Sequence, residues 1–258
     1  MTQSHRMDVT PPRPDDPGAG VEASAGPGAG PVLLLLARAP VPGAVQTRLS
    51  PPATAEQAAG IAAAALLDTV DAVAATPGVV PVIALAGDLA DAPRGEEIRR
   101  ALAGWTVTQQ RGSTPAERLV GAYAEVGACF PGQPVLQIGT DTPHLHWSLL
   151  DAAARRLDAG AAALLGATLD GGWWALGLRN PADARALLTV PTTAPDTGAR
   201  TRRALRAHGL RVDSLPLMSA VDTMTDAVTV AATVPGGRFA AAVFDLRESW
   251  LVPAQEEP

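Results

Sequence analysis

The stretch Val32-Leu-Leu-Leu-Leu-Ala-Arg-Ala-Pro-Val-Pro-Gly-Ala-Val-Gln-Thr-Arg-Leu49 decides the fold. Its apolar run over residues 32–37 is too short and too continuous for an amphipathic helix, and it suits a parallel strand covered on both faces. Pro40, Pro42 and Gly43 then break regular structure while leaving backbone amides free to face an anion. Arg38 and Arg48 add fixed positive charge beside them. A buried strand that ends in such a loop is where an α/β sheet meets a phosphate-bearing ligand.

Outward from this stretch the pattern alternates. Apolar residues at helical spacing (Ile61, Ala65, Leu66, Val73) predict a helix over 55–75, and the β-branched run over 79–85 predicts a second strand. Helices over 95–103 and 116–128, with a short strand over 105–109 between them, continue the series. A central strand is expected over 135–138, ending at Gly139-Thr-Asp-Thr-Pro143. A helix over 147–157, a strand over 161–165 and a turn at Asp170-Gly-Gly leading into an extended segment follow. Strands alternating with helices imply a three-layer α/β/α fold around a mostly parallel sheet with right-handed crossovers. Residues 1–30, rich in Pro, Gly and Ala with almost no large apolar side chain, read as a disordered leader. One domain is expected over 31–246, and 247–258, rich in Pro and Glu, reads as a flexible tail.

Composition removes several classes of function. The chain has 258 residues, a net charge of -6 and no basic run, which argues against nucleic acid as a partner. Every one of its 20 basic residues is arginine, so Schiff-base chemistry and a Walker-type phosphate lysine are both excluded. The arginine-only, alanine-rich usage fits genomic base composition as readily as function. A single cysteine, Cys129, excludes an internal disulfide and a multi-cysteine metal site, and is compatible with a cytoplasmic location. Cys129 is expected to be a small buried core residue. The apolar run at 32–36 comes late and follows acidic, Pro/Gly-rich sequence, unlike a secretory signal. No membrane span is expected. The sequence carries no signal for an oligomeric state.

Three polar clusters fall at predicted strand ends: the loop with Arg38 and Arg48, the Gly139-Thr140-Asp141 turn, and the turn at Asp170. A carboxylate fixed at Asp141 can take a divalent cation that bridges diphosphate oxygens, or it can cap the following turn. His144 and His146 suggest either a metal pair or, as favoured here, polar decoration of a turn before a helix, with His144 the better candidate for substrate contact. His208 lies in a predicted basic helix with a solvated face. Ser113 and Ser148 lack the setting of a nucleophile elbow.

Four motifs occur in order: Ala37-Arg-Ala-Pro-Val-Pro-Gly-Ala-Val-Gln-Thr-Arg-Leu49, Ile138-Gly-Thr-Asp-Thr-Pro-His-Leu145, Asp170-Gly-Gly-Trp-Trp-Ala-Leu-Gly-Leu178 and Val221-Asp-Thr-Met-Thr-Asp226. Together, over residues 31–230, they resemble the bacterial radical-SAM/selenodomain-associated transferase 1 family, whose members are assigned as glycosyltransferases of the GT-A nucleotide-diphospho-sugar transferase fold. The resemblance implies that Arg38, Pro40, Gly43, Thr47, Arg48, Gly139 and Thr140 bind the nucleotide. It implies further that Asp141 and Asp222 hold Mg²⁺ or Mn²⁺, and that His144, Gly171, Gly172 and Trp173 border the sugar or acceptor. Of the adjacent Trp173 and Trp174, strand geometry lets at most one face a ligand.

The activity implied is metal-dependent transfer of a glycosyl group from a nucleotide-diphospho-sugar donor to a small acceptor, with Asp170 as the base if transfer inverts the anomeric centre. The chain departs from the family at Gln46, where lysine is usual, and at Arg38, where lysine is again usual. Loss of charge at Gln46 bears on phosphate binding and on the donor. Two alternatives stand: nucleotidyl transfer from an NTP to a phosphorylated small molecule, and a non-catalytic nucleotide-binding homologue.

Overall fold

The computed structural model describes residues 30–192 and 194–251. Seven strands form one sheet: β1 (Val32–Arg38), β2 (Val80–Ala86), β3 (Thr106–Gln109), β4 (Val135–Ile138), β5 (Ala163–Thr168), β6 (Trp173–Leu178) and β7 (Val212–Met218). Their order is β3-β2-β1-β4-β6-β5-β7, all parallel except β6, which runs antiparallel to β4 and β5. The helices are α1 (Ala55–Ala74), α2 (Gly95–Ala101), α3 (Pro115–Cys129), α4 (Trp147–Asp158), α5 (Thr197–Ala207), α6 (Met224–Ala231) and α7 (Arg238–Leu251). The elements expected between residues 32 and 178 are all present, within a few residues of the predicted ends.

The continuous apolar run of β1 is explained by two-sided burial. Leu33, Leu35 and Ala37 pack with α1, α2 and α4 on one face, while Val32 and Leu34 pack with α3 on the other. Between β1 and β4 the direction of strand progression reverses, and at such a point the loops that leave neighbouring strand ends diverge and open a crevice.

A fourth, partial layer lies outside α1. Ala58, Ile61 and Ala65 of α1 meet Ala227 and Val230 of α6 and Phe239, Ala240 and Val243 of α7. The Asp68 carboxylate of α1 accepts from the backbone N–H groups of Arg238 (3.1 Å) and Phe239 (2.8 Å), satisfying the first turn of α7 from a different helix. A Cβ on Gly237 would stand 2.8 Å from that carboxylate, so glycine keeps the approach open. The helix runs to Leu251, so the chain is helical past residue 247, where the sequence suggested a tail; residues 252–258, and residues 1–29 of the expected leader, lie outside the described residues.

Two further expectations are corrected. Cys129 is exposed at the end of α3, because Val126 and Phe130 take the core positions of that turn. By length and composition α1 is apolar enough to cross a membrane, contrary to the expectation of no such stretch; most of it is buried within the fold, where alanines allow close packing on both sides.

Trp174 of β6 is fully buried, its indole N–H donating to the Pro216 carbonyl of the edge strand β7 at 2.9 Å. The bulge at Gly166 and Ala167 accommodates it, since a Cβ on Gly166 would lie 2.4 Å from the indole ring. Replacing Trp174→Ala is expected to cost about 3–5 kcal/mol of unfolding free energy, read by urea denaturation. A loss under about 1 kcal/mol would show that this ring does not tie β6 to β7.

Candidate functional site

The C-terminal ends of β4, β5 and β7 each deliver one aspartate to the crevice side of the sheet. Asp141 follows β4, Asp170 occupies the turn between β5 and β6, and Asp222 lies between β7 and α6. Gln46, Thr47 and Arg48, from the loop after β1, complete a cavity of about 320 Å³ with these three and with Ala220 and Val221. A larger cavity of about 630 Å³ shares Arg48, Asp170 and Asp222, and adds Gly172, Thr192, Ala194, Pro195 and Thr197 from the approach to α5.

Local geometry fixes each acid. The half-buried Asp141 accepts from the Val221 backbone N–H through its carbonyl at 2.8 Å, tying the β4 turn to the segment carrying Asp222. Its Oδ1 would stand only 2.9 Å from a Cβ on Gly139, so glycine there makes room for the carboxylate. Asp170 accepts from the Gly172 N–H at 3.2 Å, an Asx turn that the Asp-Gly-Gly sequence favours. Gly171 has φ +86° and its carbonyl accepts from Gly198 N–H at 2.8 Å; a Cβ on Gly171 would strike the Pro195 carbonyl at 1.9 Å. The two glycines thus let the turn pack directly against the start of α5. The Asp222 carboxylate pairs with the Arg48 guanidinium.

Electrostatically the small cavity is dominated by negative charge. Burial, together with the neighbouring Asp170 and Asp222 carboxylates, pushes the Asp141 carboxyl up from its usual range to about 6. Among the described residues Arg48 is the one cation lining that cavity. No three His, Cys, Asp or Glu side chains among the described residues come together closely enough to cage a metal ion. The donor set fits a different arrangement: Mg²⁺ is commonly held by one or two carboxylates with the remaining positions filled by water and substrate phosphates. Asp141 and Asp222 are of that kind.

The other residues singled out from sequence are distributed as follows. Thr47 and Arg48 line the small cavity, and Gly172 lines the larger one. Arg38 and Thr140 line a third, adjoining cavity of about 250 Å³ with Gln46. Gly43 is exposed with φ +76°, a conformation that turns the loop. Pro40 is buried and shapes the loop instead of facing the cavities. Two residues are elsewhere. His144 lines a separate cavity with Asp68, Pro235 and Arg238, because the turn after Pro143 carries it to the α1 and α7 side; its burial there pushes the imidazole below the ordinary range. Trp173 packs against the core layer of α3 and α5, on the face opposite Trp174, and lines neither of the cavities that Asp170 shares. His146 caps α4 and accepts from the Ser148 N–H, in line with the turn reading. Thr192, Pro195 and Thr197 were not singled out from sequence. Their signal is the run of Thr, Pro, Asp and Gly before α5, which marks a loop without saying that it faces the acids.

Comparison with known proteins adds a family match over part of the chain and a likeness of fold. Residues 69–194 match the family described as "Uncharacterized protein conserved in bacteria (DUF2064)". The DUF2064 match runs from within α1 through β6 to the loop before α5 and includes Asp141 and Asp170; Arg48 and Asp222 lie outside it. No curated protein matches the sequence. A solved structure described as "putative nucleotide-diphospho-sugar transferase" from Desulfovibrio desulfuricans G20 is 23% identical, with TM-score 0.72, covering 84% of this chain and 94% of its own. A CMP:2-keto-3-deoxy-manno-octonic acid synthetase complexed with CTP is 13% identical, with TM-score 0.51, covering 80% and 98%. A 4-diphosphocytidyl-2C-methyl-D-erythritol synthase from Anaerococcus prevotii DSM 20548 is 11% identical, with TM-score 0.50, covering 80% and 99%. At these identities the likeness is one of fold, and the fold is the three-layer α/β/α arrangement expected from sequence.

The raised pKa of Asp141 has a consequence for stability. An acid whose folded pKa lies above its unfolded value keeps its proton longer in the folded state, so this group lowers stability as pH rises from about 4 to about 6, and stability stays reduced above that window. Asp141→Asn removes the charge. The variant is expected to exceed the parent by up to about 3 kcal/mol at pH 7.5 and to match it near pH 4. Urea unfolding at the two pH values reads the difference, and equal stability at pH 7.5 would mean that the carboxylate is well solvated.

Proposed function

We propose that this chain is a transferase that takes a nucleotide-diphospho-sugar and, with Mg²⁺ or Mn²⁺, moves the glycosyl group to a small acceptor. The observation that carries the reading is the convergence of Asp141, Asp170, Asp222 and Arg48 at strand ends beside the reversal point of a nucleotide-sugar-transferase-like sheet. Three carboxylates facing one arginine would repel a diphosphate unless a cation accompanied it. The four motifs in order support the finer kinship with the radical-SAM/selenodomain-associated transferase 1 family, and the single cysteine with a buried α1 supports a cytoplasmic location.

In this reading Asp141 and Asp222 hold the cation, whose chemistry is to offset charge developing on the departing nucleoside diphosphate. Arg48, Thr47 and the loop amides grip the phosphates, and Arg38 and Thr140 border the nucleoside in the adjoining cavity. The larger cavity, floored by Gly172 and bounded by Thr192 and Thr197, takes the acceptor. The acceptor oxygen forms its bond to the anomeric carbon as the bond from that carbon to the β-phosphate oxygen breaks. Asp170, which borders both cavities, takes the acceptor proton.

A second reading, nucleotidyl transfer, is favoured by one observation: the synthetase complexed with CTP shares the fold at TM-score 0.51. The lining of the small cavity weighs against it, since Gln46 is uncharged and Arg48 alone would face a triphosphate. A non-catalytic homologue would bind nucleotide and turn over no donor.

A thermal-shift panel of UDP, CDP, GDP, ADP and their sugar conjugates, with and without Mn²⁺, tests the reading. A donor at about a hundred times its Kd adds roughly 2.7 kcal/mol, and the gain is expected to need Mn²⁺ and to vanish in Asp141→Ala. Release of nucleoside diphosphate supports glycosyl transfer, whereas release of pyrophosphate from an NTP supports the alternative. A shift that is unchanged in Asp141→Ala removes the metal role.

A further inference from the structure

The Arg48–Asp222 ion pair stands where the two cavities meet, and both residues line both. The proposed function asks incompatible things of this pair. Arg48 is to grip a phosphate and Asp222 is to hold a cation, yet in the free chain each neutralises the other. We propose that the pair is a latch that an incoming phosphate opens: Arg48 moves from Asp222 to the ligand, and the carboxylate so released becomes available to the cation that accompanies the ligand. This rests on the reading that the site takes a nucleoside diphosphate with a divalent cation.

Three observations support the exchange. The side chains are 73% and 44% exposed, and an exposed ion pair is weak enough to be given up for a stronger partner. A guanidinium matches a phosphate as well as it matches a carboxylate, and a diphosphate carries more charge than Asp222 does. The two sides also differ in anchorage. Asp222 is held on one side by Val221, bonded to the Asp141 carbonyl, and on the other by Thr223, which caps α6 in a reciprocal box with Asp226. Arg48 lies in a short 3-10 turn, Thr47–Leu49, that follows Gln46 at φ 48°, in a loop whose residues 43, 44, 47 and 48 are exposed. The backbone of Arg48 is fixed by the neighbouring Leu49, which is fully buried, so what moves is the guanidinium on its long, exposed side chain.

The latch couples the two ligands. A cation alone meets an occupied Asp222, and an anion alone meets an occupied Arg48, so each improves the binding of the other. In the absence of donor the latch lowers the free site's affinity for metal by the few-fold factor that an exposed ion pair is worth. It also joins the small cavity to the larger one when it opens, bringing phosphates and acceptor into one space.

Four proteins test this: the parent, Arg48→Ala, Asp222→Asn and, as a control for removing an exposed arginine–aspartate pair near the site, Arg200→Ala, whose partner is Asp196. Mn²⁺ binding without any anion is followed by electron paramagnetic resonance, and inorganic pyrophosphate binding in EDTA by calorimetry. Arg48→Ala is expected to bind Mn²⁺ alone about two- to fivefold more tightly than the parent, with Arg200→Ala unchanged. Asp222→Asn is expected to bind metal-free pyrophosphate more tightly by a similar factor. Pyrophosphate should tighten Mn²⁺ binding in the parent and do so less in Arg48→Ala. The latch is overturned if Arg48→Ala binds Mn²⁺ no better than the parent, or if Arg200→Ala gains equally. A parent that binds neither nucleoside diphosphate nor pyrophosphate with Mn²⁺ instead removes the proposed function, and the latch with it.

Discussion

Like charges held together at the end of a sheet constrain everything else about this molecule. β4, β5 and β7 would be unremarkable strands of an apolar sheet if their ends did not carry Asp141, Asp170 and Asp222 into one small space. Burial first, and the two neighbouring carboxylates after it, raise the Asp141 carboxyl to about 6, so the fold bears a destabilising group at neutral pH. Such a group persists only where the surroundings over-determine it. Here the Val221 N–H holds the Asp141 carbonyl, glycine at 139 clears room for the carboxylate, and two-sided packing of β1 and β4 keeps the strand end rigid. Strain of this kind is used when a ligand of opposite sign relieves it.

The fold was largely legible because its signals are local. Runs such as 32–37 and 135–138 suit strands buried on both faces, and apolar residues at helical spacing, such as Ile61, Ala65, Leu66 and Val73, mark the helices between them. Asp141 and Asp170 were legible for a different reason: one follows a strand and the other closes a turn between two, so their positions in the sheet are implied once the strands are, whereas Asp222, after a strand that sequence did not reveal, was reached only through the family resemblance. Two-sided burial also accounts for Trp174, one of two adjacent tryptophans that strand geometry sends to opposite faces.

What sequence could not supply was direction. His144 lies only three residues after Asp141, yet the chain turns at Pro143 and buries the imidazole toward α1 and α7, on the far side of the turn. Trp173 follows the Asp-Gly-Gly turn and points into the α3 and α5 layer, because the antiparallel pairing of β6 with both neighbours fixes which face each side chain takes. Cys129 misled in the same way: the helix end places residues 126 and 130 inward, and a small sulfur side chain between them outward. The α6 and α7 layer went unseen since its partner surface is the second face of α1, and alanines at 58 and 65 do not announce a helix buried on two sides.

That outer layer matters to the site. The segment matching the bacterial family, residues 69–194, contains Asp141 and Asp170 but neither Arg48 nor Asp222. Arg48 comes from the loop before α1, whose Leu49 is buried in the same cluster as α6 and α7. Asp222 sits one residue before the cap of α6, whose Ala227 and Val230 are buried there too. The packing of α7 on α1, pinned through Asp68, thus sets the relative position of the arginine and the aspartate that close the cavity. Half of the charge in the site is positioned by a layer that makes no contact with any proposed ligand, and a loosening of that layer would be felt first as a change in the spacing of Arg48 and Asp222.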